Sequence, residues 1–105
     1  SIIMAIRVQT EFTRRGDVRI IYYNYDDDEA LVAATSVSIS IKDPDGTVVV
    51  DEAAMVEGDT GVYEYYYATT ASSVVGNYQV EVDSLDGGKH SFYAGHFLLR
   101  AGINE

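Results

Sequence analysis

The chain has no cysteine and no tryptophan, a single proline, and only seven lysines and arginines. Without thiols it has no disulfide staple, thiolate nucleophile, thiolate zinc site or cysteine-ligated iron-sulfur cluster. Small secreted domains commonly lean on such cross-links, so their absence favours a reducing place of synthesis or incorporation into something larger. No apolar run approaches the roughly 18 residues of a membrane helix. The cations form no stripe: Arg7, Arg14, Arg15, Arg19, Lys42, Lys89 and Arg100 are scattered among 17 acids, and the formal charge of -10 repels phosphate backbones at long range. Neither nucleic acid nor membrane is therefore an expected partner. The same acidity, with only two lysines, fits either adaptation to high salt or plain solubility of a tyrosine-rich chain.

What is present is 105 residues, 47% hydrophobic and 23% charged, which is the composition of one globular domain with a modest core. The expected domain is 1–105, with Ser1-Ile2-Ile3 read as a vector remnant and Met4 as the natural start. No charged, apolar and small-residue sequence of the secretory type precedes the first patterned segment, so synthesis and retention in a cytoplasm are expected.

Period-two patterning dominates. In Ser36-Val37-Ser38-Ile39-Ser40-Ile41-Lys42 the aliphatic residues share one face and the serines the other, and Tyr78, Val80 and Val82 alternate with Gln79, Glu81 and Asp83. β-Branched and aromatic residues suit such a pleated, half-buried surface. About seven strands follow, near 4–12, 17–25, 35–42, 47–51, 61–68, 76–83 and 89–99, and their even spacing predicts an all-β, immunoglobulin-like antiparallel β-sandwich.

Turn chemistry supports the count. Asp43-Pro44-Asp45-Gly46 suits a type I turn between two strands, Leu85-Asp86-Gly87-Gly88 precedes the last strand, and Arg15-Gly16-Asp17 precedes the second. Asp59 to Tyr63 and Gly76 to Val82 each set a glycine two residues before a tyrosine that opens a strand, where the phenol can bond backbone at the sheet corner. Asp26-Asp27-Asp28-Glu29 before Ala30-Leu31-Val32-Ala33-Ala34 would suit the start of a short helix, and 70–75 another turn, both crossing between sheets.

Chemical sites are sparse. Arg15-Gly16-Asp17 spells the tripeptide that integrins recognise, yet a turn ahead of a strand accounts for it. Acids at 26–29, at Asp43 and Asp45, and at Asp83 and Asp86 invite calcium, but the twelve-residue calcium-loop pattern is absent. His90 and His96 face the same side of one strand about 20 Å apart, too far to share a metal. No serine sits in a glycine-flanked elbow, and no carboxylate pair has an evident cleft. No catalytic, cofactor-binding or metal-binding residue and no cofactor is therefore assigned, and no enzyme is expected. The aromatic runs Ile21-Tyr22-Tyr23-Asn24-Tyr25 and Tyr63-Glu64-Tyr65-Tyr66-Tyr67 must place some rings outside the core, where tyrosine serves interfaces, sheet edges or, less specifically, sugar stacking.

The succession Phe12 to Ile20 (FTRRGDVRI), Ala34 to Val49 (ATSVSISIKDPDGTVV), Asp59 to Val82 and Leu85 to Leu99 resembles the small immunoglobulin-like proteins of tailed phages, such as the N-terminal domain of the phage baseplate upper protein. Gly16, Asp17, Gly46, Gly61, Tyr63, Gly76, Tyr78, Gly95 and Phe97 carry the likeness, which spans nearly the whole chain. The resemblance implies a non-enzymatic virion component (tail, baseplate, neck or capsid decoration) that binds other virion structural proteins or itself, as a homo-oligomer or part of a larger assembly. The rival expectation is an immunoglobulin-like cell-surface adhesion module, extracellular, binding protein or glycan.

Overall fold

The computed structural model describes residues 5–105. Nine strands form two layers: β1 (Ile6–Val8), β2 (Glu11–Thr13), β3 (Asp17–Tyr23), β4 (Ser36–Lys42), β5 (Val48–Ala54), β6 (Val56–Glu57), β7 (Val62–Ala68), β8 (Gly76–Asp86) and β9 (Lys89–Arg100). One sheet runs β1-β3-β7-β6 and the other β2-β9-β8-β4-β5. The expected sandwich is present, with Val18, Ile20, Tyr22, Val37, Ile39, Ile41, Tyr78, Val80, Val82, Phe97 and Leu99 buried between the layers. Each of these lies on the inward parity of its strand, as the alternation requires.

Three expectations are corrected. The segment 4–12 divides into two strands on different sheets, Met4 itself lying outside the described residues. β1 pairs antiparallel with β3, whereas β2 pairs parallel with β9, so the sandwich is not purely antiparallel. Alternation continues through the switch, Ile6 and Val8 and then Phe12 being half-buried, and a period of two cannot say which layer a strand joins. The segment 47–51 also extends to Ala54 and continues, past the buried Met55, into β6 on the opposite sheet. Finally, no helix forms at 26–34. Asp26 Oδ1 accepts the N–H groups of Asp28 and Ala30, Glu29 adopts φ +64°, and Tyr25 bridges Leu31, which closes a tight loop instead. Asp side chains offer the backbone this alternative to a helical turn.

The crossovers and hairpins otherwise follow the sequence. Residues 24–35 and 69–75 each carry the chain from the β1-β3-β7-β6 sheet to the other. At the β4–β5 hairpin Asp43 Oδ1 accepts from Asp45 N and Thr47 N at 2.9 Å each, and Gly46 donates to the Asp43 carbonyl. Gly87 and Gly88 both have positive φ and form the two-residue turn joining β8 to β9, as a primed hairpin turn demands. Both strand-entry tyrosines bond backbone: Tyr63 Oη accepts from Ala34 N, and Tyr78 Oη donates to the Val74 carbonyl at 2.6 Å.

Candidate interaction surfaces

Of the three buried polar residues described, Asn24 and Ser84 form one closed node with Tyr22, and Thr69 bonds the Gly16 carbonyl. Tyr22 donates to Asn24 Oδ1 at 2.9 Å, Ser84 Oγ donates to the same oxygen at 3.0 Å, and Asn24 Nδ2 donates to the Val32 carbonyl. The Asn24 main chain adds bonds to Gly61 O and from Val32 N. Every polar atom of this node has a partner, so it locks the 24–35 crossover against β7 and β8 and leaves nothing directed at a ligand. Burial pushes the Tyr22 phenol up to about 12, partly offset by the Ser84 bond, and burial with Tyr67 nearby does the same to Tyr78.

The sequence candidates scatter. Arg15-Gly16-Asp17 lies on the exposed turn between β2 and β3, but the Arg15 guanidinium is held 3.3 Å from Glu105. Arg14 joins the same carboxylate at 2.9 Å, and Gly102 N donates to it. Burial raises the Glu105 pKa, yet the Gly102 N–H and the two arginines outweigh it and hold the carboxyl below its ordinary value. This knot ties Glu105 to the turn, which gives Arg15 of the tripeptide a structural role. Asp26 and Asp43 spend their oxygens on their own loops, and no group of three acids and histidines poised for a metal occurs among the described residues. His90 bonds Asp83 at 2.9 Å and stacks on Phe92, while His96 lies apart in a shallow valley.

That valley, about 930 Å³, crosses the outer face of the five-stranded sheet between Ser40, Lys42, Asp51, Gln79, Glu81 and His96. Its floor is ordinary outward strand positions, and its one lysine, Lys42, stands among the acids Asp43, Asp51 and Glu81.

The tyrosine runs divide as their parity dictates. Tyr63 is buried and Tyr65 and Tyr67 pack partly against the core, while Tyr66 stands 55% exposed on the outer face beside the Arg19–Glu64 ion pair. Tyr23 and Tyr25 stack on each other. Sequence reasoning missed a more prominent surface, the first half of β9. Among the described residues β2 covers β9 only at Leu98–Arg100, so Lys89–Phe97 has no hydrogen-bonded neighbour on that side, although Ile6 lies close to Gly95. Phe92 is 62% exposed on its outer side, and Tyr93, on the inner side, reaches Tyr22 at 5.3 Å yet remains 37% exposed. The run Lys89-His90-Ser91-Phe92-Tyr93-Ala94 is exposed on both parities, a signal visible only after strand neighbours are known. On the far side of the same sheet β5 is a second open edge, with Val48 and Val49 exposed.

No protein-family model and no curated protein sequence matches the chain. Among solved structures it is similar to the Lin-41 filamin domain, with a TM-score of 0.67 over 93% of this chain and 94% of that one, at 20% identity. The fold is immunoglobulin-like. At this identity the likeness speaks for architecture alone. It agrees with the two-layer, all-β architecture.

Proposed function

We propose that this immunoglobulin-like chain is a non-enzymatic protein-interaction module, and more narrowly a virion building block of a tailed phage that holds neighbouring subunits. One observation carries the reading: among the described residues the polar clusters, the Tyr22–Asn24–Ser84 node and the Arg14–Arg15–Glu105 knot, are spent on internal contacts, while large apolar groups stand on open edges and outer faces, among them Val56 at 71% and Phe92 at 62% exposure. Sheet edges left bare in an isolated subunit invite pairing, and assembly supplies their cover. The virion assignment draws its support from the strand-entry and turn residues Gly16, Gly46, Gly61, Tyr63, Gly76, Tyr78, Gly95 and Phe97. Neither nucleic acid nor a cofactor has a part in this reading.

Two observations test it. A reading frame lying among capsid and tail genes, and the chain recovered at a fixed copy number from purified particles by mass spectrometry, are the expected results. Particles that lack the chain would overturn the virion role, and a reading frame continuous with a secretion signal and tandem sandwich domains would replace it with the surface-adhesion module.

A further inference from the structure

We propose that copies of this chain add to one another edge to edge, the open half of β9 on one copy pairing with β5 of the next, so that the five-stranded sheet continues from subunit to subunit. The inference rests on the interaction-module reading and names its partner.

Three features place the two edges in correspondence. The first is direction. β9, β8, β4 and β5 are joined by three successive antiparallel pairings, so β5 runs opposite to β9. A second copy displaced along the sheet without being turned over therefore presents an antiparallel strand to β9 and keeps its core face on the same side.

The second is level. Val48 stands across from Lys42, which faces Gln79, which faces His96. Ala54 likewise stands across from Ser38, Asp83 and Phe92. β5 thus sits at the height of β9 between Phe92 and His96, the stretch that β2 leaves bare, its two extra residues taken up by bulges between Val48 and Ala53. The backbone there is available. Around a two-residue turn, Asp86 and Lys89 form a hydrogen-bonded pair, and alternation then turns the N–H and C=O of His90, Phe92, Ala94 and His96 away from β8. Leu98, of the same parity, confirms the direction by donating its N–H to the Thr10 carbonyl.

The third is charge. In a chain of net charge -10, the bare stretch Lys89–Phe97 contains Lys89, two histidines and no carboxylate, whereas β5 contains Asp51 and Glu52 and no cation. The usual protections of an edge, a proline or a dense row of like charge, are missing from β9. Two β9 edges placed together would bring no carboxylate to Lys89, and two β5 edges would set acid beside acid, so the unlike pair is favoured. A head-to-tail contact of this kind generates a ring or a filament.

Sedimentation equilibrium and light scattering on the full chain, from micromolar to millimolar at about 0.15 M ionic strength, test the proposal. Ala94→Pro removes an outward N–H from β9 without touching the β8 ladder, and Phe92→Glu puts a carboxylate on that edge with no backbone change. The double substitution Val48→Lys, Val49→Lys puts cations on β5. The native chain is expected to grow beyond a dimer with concentration. Each single-edge variant, its circular dichroism unchanged, stays monomeric over the same range, an affinity loss of more than about tenfold. Mixing a β9 variant with the β5 variant restores an equimolar dimer that grows no further, because each still owns one good edge. If Ala94→Pro unfolds, Phe92→Glu carries the same test. A native chain monomeric at millimolar concentration overturns the inference but leaves the module reading to its particle test. A dimer that survives the β5 substitutions and is lost only with the β9 ones overturns it in favour of two-fold pairing of β9.

Discussion

Gly61 offers the sharpest test of how the crossover is clamped to the sheet. It is buried at φ +76°, and a Cβ built there would lie 2.8 Å from Val32 N and 2.9 Å from Val32 O. Both are backbone atoms of the 24–35 crossover, held in place by Asn24 through its N–H to Gly61 O and its two contacts with Val32, so neither can yield as a flexible side chain would. Gly61→Ala therefore carries two costs: about 1–2 kcal/mol for an L-residue in the left-handed region and about 1–3 kcal/mol for steric overfilling. Gly46, at φ +88° with nothing within 4 Å of its added Cβ, isolates the first of these. In a domain of this size each kcal/mol lowers the Tm by about 4–8 °C, so Gly61→Ala should melt roughly 5–20 °C below Gly46→Ala. Thermal melts by circular dichroism at one low protein concentration, where association contributes equally, measure the difference, and urea titrations with an unchanged slope would show that it reflects stability. If the two variants lose the same amount, the close approach to Val32 is not what fixes the crossover.

Three further outcomes follow. Tyr22 and Tyr78 have phenols near 12 when folded against an ordinary value of 10, so the unfolded chain releases its protons first: the stabilisation is intact below pH 10 and is lost as pH rises from 10 to 12. Tyrosinate absorbance should show Tyr22 and Tyr78 titrating late with unfolding, along with Tyr67, whose phenol is also pushed up by burial, and free titration of all nine tyrosines at pH 10 would contradict their burial. Tyr78→Phe removes the 2.6 Å bond to the Val74 carbonyl while keeping the ring stacked 4.9 Å from Phe97, and should cost about 0.5–1.5 kcal/mol, whereas Phe97→Ala empties that stack and should cost about 3–5 kcal/mol in the same denaturant assay. Asp43→Ala strips two backbone N–H groups of their acceptor and should cost about 0.5–2 kcal/mol; added calcium should not move the melting temperature of the native chain, since that carboxylate is engaged with its own turn.

How the chain folds was largely legible in residue order. Alternation in β4 and β8 named which side chains go inward, because a strand has only two faces and apolar atoms choose the one away from water. Asp43-Pro44-Asp45-Gly46 and Gly87-Gly88 marked their hairpins, because few residues tolerate those backbone angles. Tyr63 and Tyr78 announced sheet corners by their distance from a glycine. The loop at 26–31 was misread because local charge favours a helix start there, while a single Asp26 carboxylate serving two N–H groups and the Tyr25–Leu31 bridge favour a turn.

Residue order alone therefore determined the two-layer class, which side chains enter the core and most of the turns, all of which are set by contacts between residues close in sequence or by burial of one strand face. Which strand lies beside which was settled only by packing in three dimensions: the transfer of the chain from β1 to β2 between sheets, the parallel pairing of β2 with the end of β9, and the bare stretch from Lys89 to Phe97 that results. Edges are made by missing neighbours, and a neighbour some 80 residues away along the chain leaves no mark on the strand it fails to cover.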